Sequence, residues 1–69
     1  MKIWFKPDNF PPPTLSMVSN EVLAITENNT PLIICFDYNR NMWCYANMNR
    51  IHHTVKLKAW MNIPEVKYE

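Results

Sequence analysis

The sequence contains no glycine. Glycine-rich phosphate loops are therefore excluded, and every turn position with positive φ must be filled by a residue that carries a Cβ. Cysteine is scarce. Cys35 and Cys44 fall far below the density of a disulfide scaffold, so reduced, buried thiols are the expected state, and the Asn28-Asn29-Thr30 sequon then carries no glycan. A surplus of charge is also lacking: 7 Lys and Arg against 6 Asp and Glu leave +1, which speaks against both a basic phosphate-gripping tail and an acidic nucleic-acid mimic. Long apolar runs are missing too. The longest uncharged apolar stretch, Pro31 to Phe36, is far short of the roughly 20 residues of a membrane helix, and the start of the chain has no apolar signal-peptide core. The expectation is a cytoplasmic chain with no membrane partner.

What is present points to a folded domain. Hydrophobic residues make up 48% of the chain and include three each of Phe, Trp and Tyr, enough apolar area to offset chain entropy. A chain of 69 residues has room for one domain, 1–69, and none for a separate substrate domain. A chain this short buries only about 60% of its unfolded surface, so a staple or a partner is favoured. Within it, residues 1–20 read as an irregular arm, because Pro7 and Pro11-Pro12-Pro13 remove amide donors and extend the residues before them. The arm carries Ile3, Trp4, Phe5 and Phe10, too much apolar area for a free tail, and is expected to lie across the domain as a lid or edge strand. Residues 14–21 admit one short helical turn capped by Thr14 or Ser16, which keeps an α+β class open beside an all-β one.

Residues 21–64 read as a small antiparallel meander of three to four strands: Val22 to Thr26, Leu32 to Tyr38, Met42 to Ala46 and Val55 to Met61. Without glycine, the left-handed turn positions are expected to fall to Asn, which the breaks Glu27-Asn28-Asn29-Thr30 and Asn39-Arg40-Asn41 supply. A first turn at Asn28-Asn29 would set Ile25 opposite Leu32 and Leu23 opposite Ile34. A second loop of two or four residues would set Phe36 opposite Trp43, Ile34 opposite Tyr45 and Cys35 opposite Cys44. One face would then gather Leu23, Ile25, Leu32, Ile34, Phe36, Tyr38, Trp43 and Tyr45. In the last strand Val55, Leu57, Ala59 and Met61 alternate to one side, and Trp60 either turns inward past a bulge or stands out beside Lys56 and Lys58 as a contact residue.

Chemistry-bearing clusters are weak. Cys35, Cys44, His52 and His53 have zinc-binding atoms but not zinc-binding spacing, and small buried thiols are the simpler account. Adjacent His52 and His53 on an extended segment would diverge to opposite faces, and the six carboxylates, Glu65 and Glu69 among them, are scattered. No catalytic residue, metal ligand or cofactor is assigned. Aromatics interleaved with cations, namely Arg40, Trp43, Tyr45, Arg50, His52, Lys56, Lys58 and Trp60, would suit a single-stranded nucleic acid, but Trp43 and Tyr45 are needed for the core.

The segment Lys58-Ala59-Trp60-Met61-Asn62-Ile63-Pro64-Glu65 resembles the closing signature of a family of small phage and prophage proteins of unknown function, typically Thr-His-Trp-Met-Pro-Leu-Pro-Glu-Pro. Trp4, Pro12 and Val22-Leu23 stand in the order of that family's opening, and Phe36, Tyr38 and Trp43 resemble its central aromatic hairpin. Ala59 replaces the usual His and Asn62 the usual Pro, so no role resting on that His carries over. The resemblance implies a phage-encoded accessory protein in a bacterial cytoplasm, with Trp4 and Trp60 covering one aromatic face from both ends. The function expected is binding to, and inhibition or modulation of, a host bacterial protein such as a defence complex. A single-stranded nucleic-acid binder is the alternative, and a homodimer fits an open sheet edge. The candidate partner contacts are Arg40, Met42, Met48, Arg50, His52, Lys58 and Trp60, on loops or on the outer side of the last strand.

Overall fold

The computed structural model describes residues 3–63; Pro64, Glu65 and Glu69 lie outside the described residues. Four antiparallel strands form one sheet: β1 (Val22–Thr26), β2 (Pro31–Asp37), β3 (Met42–Tyr45) and β4 (Leu57–Asn62), in the order β3-β2-β1-β4. The first three make the expected meander, and β4 returns to lie beside β1, which gives a Greek-key order. Residues 46–56 must therefore carry the chain from one edge of the sheet to the other. Val55 and Lys56, expected in the last strand, belong to this crossing segment instead.

Three loops solve the absence of glycine in the same way. In 14–18, 26–30 and 45–49 the first residue's amide donates to the fifth residue's carbonyl, and the fourth residue's amide donates back to the first. The fourth residue is left-handed each time: Met17 at φ 64°, Asn29 at 66° and Met48 at 69°. This is the three-residue hairpin loop with its left-handed bulge position filled by Asn or Met. Asn was expected at such sites and takes two, Asn29 and Asn41, but methionine takes the other two. The Thr14 loop also replaces the helical turn envisaged for 14–21; no helix occurs among the described residues.

The second hairpin keeps the expected register. Its four-residue loop closes on Asp37 and Met42 and sets Phe36 opposite Trp43, Ile34 opposite Tyr45 and Cys35 opposite Cys44. The first hairpin does not. Its loop is 27–29 rather than Asn28-Asn29 alone, because Thr26 Oγ1 accepts the Thr30 amide and donates to the Asn28 side chain, closing the loop one residue earlier. Val22 therefore pairs with Ile34 and Ala24 with Leu32, and the one-residue slip sends Leu23 and Ile25 to the opposite face. Val22 and Ala24, expected on the milder face, are 1% and 0% exposed at the centre of the core with Ile34 and Trp60.

The arm completes this core. Phe5 exchanges both backbone hydrogen bonds with Trp60 (2.7 and 2.9 Å), extending the sheet beyond β4 by one residue, and its ring stacks on Trp60 at 4.6 Å. Phe10 stacks on Phe36 at 4.1 Å. Tyr38 donates its hydroxyl to the Pro11 carbonyl. The arm is thus both edge strand and lid, as its apolar content required. Phe5, not Trp4, covers Trp60; neighbouring residues on an extended segment point to opposite sides, and Trp4 is left exposed.

Candidate partner-binding groove

Trp60 is decided by a bulge. The pairing of β1 with β4 runs from Val22 opposite Asn62 to Ile25 opposite Ala59, then shifts so that Thr26 faces Leu57. Lys58 is the extra residue, which brings Leu57 and Trp60 to the same face. Trp60 is 3% exposed, and its indole Nε1–H donates to the Asn9 carbonyl at 2.6 Å. It is a core residue and not, as the sequence suggested, a partner contact. Met61 is also buried, on the other face of the strand.

Arg40 and Met48 form a second, mostly structural group. Arg40 Nε donates to Asp37 Oδ2 at 2.6 Å, and Nη2 reaches both the Met48 carbonyl at 2.8 Å and Cys44 Sγ at 3.1 Å. Asp37 Oδ1 accepts the Asn39 amide at 2.9 Å, so the carboxylate organises the β2–β3 loop from within. The Arg40 hydrogen bond holds the Asp37 carboxyl below the usual carboxylate range and raises the guanidinium in turn. Burial pushes both cysteine thiols up, and Cys35 is raised further by facing Cys44; the two are free and buried. Arg40 therefore ties two loops together over a thiol. Lys58 stands apart at the bulge, with Nζ donating to Asn29 Oδ1 at 3.3 Å.

The remaining candidates come together. The crossing segment folds over the aromatic face: Arg50 bridges Cys44 at the outer edge of β3, Ile51 packs against the core, and the Lys56 carbonyl accepts the Glu27 amide at 2.9 Å. Between these anchors the chain turns, with Val55 N–H donating to the His52 carbonyl and the Thr54 hydroxyl 2.8 Å from His52 Nδ1. The turn stacks the His52 and His53 rings at 4.3 Å instead of splaying them to opposite faces. Beneath the segment lies an open groove of about 360 Å³ lined by Met42, Arg50 and His52 together with Trp43, His53 and Lys56. A second groove of about 480 Å³, on the Leu32 and Tyr45 side, shares Glu27, Val55 and Lys56 with it.

Three of the seven expected contacts thus share one site: Met42, Arg50 and His52. His53, Lys56 and the half-buried Trp43 were not among them. The sequence pattern puts Lys56 in a strand and Trp43 in the core; the return of β4 beside β1, which forces a crossing segment, is what brings them to the groove. Trp43 keeps its core role, packing its edge on Phe36 at 5.3 Å and lying 6.3 Å from Trp60. Among the described residues no three of His, Cys, Asp and Glu stand close enough to hold a metal ion, and no helix is long and apolar enough to cross a membrane. In comparison with known proteins, no family model, curated protein or solved structure matches the chain.

Proposed function

We propose that the chain is a small protein-binding module, a phage- or prophage-encoded accessory protein of the bacterial cytoplasm that docks on a host protein, such as a defence complex, and inhibits or modulates it. The observation that carries this reading is the convergence of Met42, Arg50 and His52 with Trp43 on one groove. Methionine, tryptophan and arginine are the side chains that anchor protein interfaces, and a shallow groove suits a partner's surface better than an enclosed substrate. The phage origin rests on the sequence resemblance alone, of which the segment from Trp60 to Glu65 is the specific part and Trp4, Pro12, Val22-Leu23, Phe36, Tyr38 and Trp43 the remainder. Nucleic acid is a weaker candidate because Trp43, the one tryptophan in the groove, has its ring engaged with Phe36 and Phe10, leaving less of it free to stack on bases.

The test is affinity capture of the tagged protein from bacterial lysate, with and without nuclease. A single stoichiometric host protein that survives nuclease, and is lost with Arg50→Glu, is the expected result. Nucleic acid without protein overturns the reading in favour of a single-strand binder. Self-association through an open edge would appear as a doubled mass in light scattering.

A further inference from the structure

The groove under the crossing segment is two-toned. Its half-buried lining is apolar: Trp43, Ile51, Val55 and Leu57. Its exposed rim carries two cations, Arg50 and Lys56, and the paired imidazoles of His52 and His53, against the single carboxylate of Glu27. The only salt bridge among the described residues is Arg40 with Asp37, so neither Arg50 nor Lys56 has an ionic partner among those residues. The lining is also held in place: Ile51 packs against the core, the Lys56 carbonyl is tied to Glu27, and Trp43 lies in edge contact with the stacked Phe10 and Phe36 rings.

We propose that this groove takes an acidic, extended protein segment carrying an aromatic or aliphatic anchor residue: the anchor sits against Trp43 and Ile51, and flanking carboxylates meet Arg50 and Lys56. The inference rests on the protein-binding reading and names the chemistry of the surface bound. A volume of about 360 Å³ admits one large side chain and its neighbours, not a folded partner, so the rest of an interface would lie outside the groove. Desolvated contact with the apolar lining supplies affinity. The rim supplies selection by sign, because Arg50 and Lys56 attract a segment's carboxylates and repel a basic segment.

The experiment uses the full chain, 15N-labelled, titrated with the peptide acetyl-Glu-Asp-Phe-Glu-Leu-Asp-amide and with its Gln/Asn counterpart at low salt. The expected result is shifts centred on the Trp43 indole N–H and on the Ile51, Val55 and Lys56 amides. The acidic peptide should bind about tenfold more tightly than the neutral one, an advantage that closes as salt is raised. Arg50→Glu/Lys56→Glu should abolish that preference while keeping the dispersed amide spectrum of the folded chain. Equal binding of the two peptides, shifts centred elsewhere, or none at millimolar peptide overturns the proposal. An oligothymidylate of the same charge that binds more tightly at the same residues overturns it in favour of nucleic acid. The two readings fail separately: a double variant that still captures the host protein removes the groove and leaves the binding module, whereas a wild-type chain that captures no protein removes the module itself.

Discussion

Met48 holds a backbone conformation that its own Cβ opposes. Left-handed geometry costs a residue with a side chain about 1–2 kcal/mol, and Met48 and Met17 accept that cost at φ 69° and 64° without the local hydrogen bonding an Asn side chain offers. Met48→Gly is expected to stabilise the chain by about 0.5–1 kcal/mol, less than the full strain because glycine gains freedom in the unfolded state. Urea denaturation reads this directly, and a loss of stability would mean that the Met48 side chain contributes more by packing than it costs in strain. The titrating residues give opposite pH limbs. Asp37, held low by Arg40, adds stability above its unfolded value of about 3.9 that disappears as pH falls through the folded value. Asp37→Asn should be less stable at neutral pH and lose less on acidification. The buried thiols work at the other end: the unfolded chain ionises first, so stability is full below about pH 8.5 and falls above it. Cys35→Ala/Cys44→Ala should flatten that alkaline fall, read as the urea midpoint at about pH 7 and pH 9.5. An unchanged slope would mean the thiols do not differ between the two states.

At the scale of elements, parity governs everything. The second hairpin was legible because Phe36, Trp43, Ile34 and Tyr45 had to share a face, and only an even loop allows that. The first was not, since Val-Leu-Ala-Ile has apolar residues in both parities and either face looks acceptable; a hydroxyl at Thr26, bonding within the loop, selects the register. The bulge in β4 was legible as a misfit at Trp60, but not its consequence, because burial of that ring removes the most conspicuous contact candidate. The groove was legible only in part. Arg50 and His52 announced themselves as loop residues and Met42 as the start of a strand, whereas Lys56 and Val55 looked like strand until the Greek-key return required a crossing segment. Deleting Lys58 tests the bulge: it leaves Leu57 and Trp60 two residues apart, where a regular strand puts both on the core face. The thermal midpoint is expected to move by no more than the roughly 0.5 kcal/mol of an ordinary surface change, whereas a loss of about 2–3 kcal/mol would show that a buried side chain had been displaced and that Lys58 is not the surplus residue.

For the molecule as a whole, the question is what makes so small a sheet stable. A chain of this length has about 3–10 kcal/mol in total, and one open sheet leaves its aromatic face to be covered by something other than a second sheet. Two irregular segments do it. The crossing segment closes one end through Ile51, and the proline-rich arm closes the other through Phe5 and Phe10, with Pro11 and Asn9 carbonyls receiving the Tyr38 hydroxyl and the Trp60 indole. The arm therefore acts as half of the core, although it contributes only isolated bridges to the sheet. Removing residues 1–13 would uncover the Phe36 and Trp60 rings and leave the Trp60 Nε1–H without its acceptor, a loss comparable to truncating a buried aromatic, about 3–5 kcal/mol. That is most of what a chain this size has. The truncated protein is expected to lose its near-ultraviolet circular dichroism and its dispersed amide spectrum, and to regain both when a peptide of residues 1–13 is added in trans. A truncated chain that keeps a native-like spectrum would show that the four strands and the crossing segment suffice, and that the arm is a cover rather than part of the core.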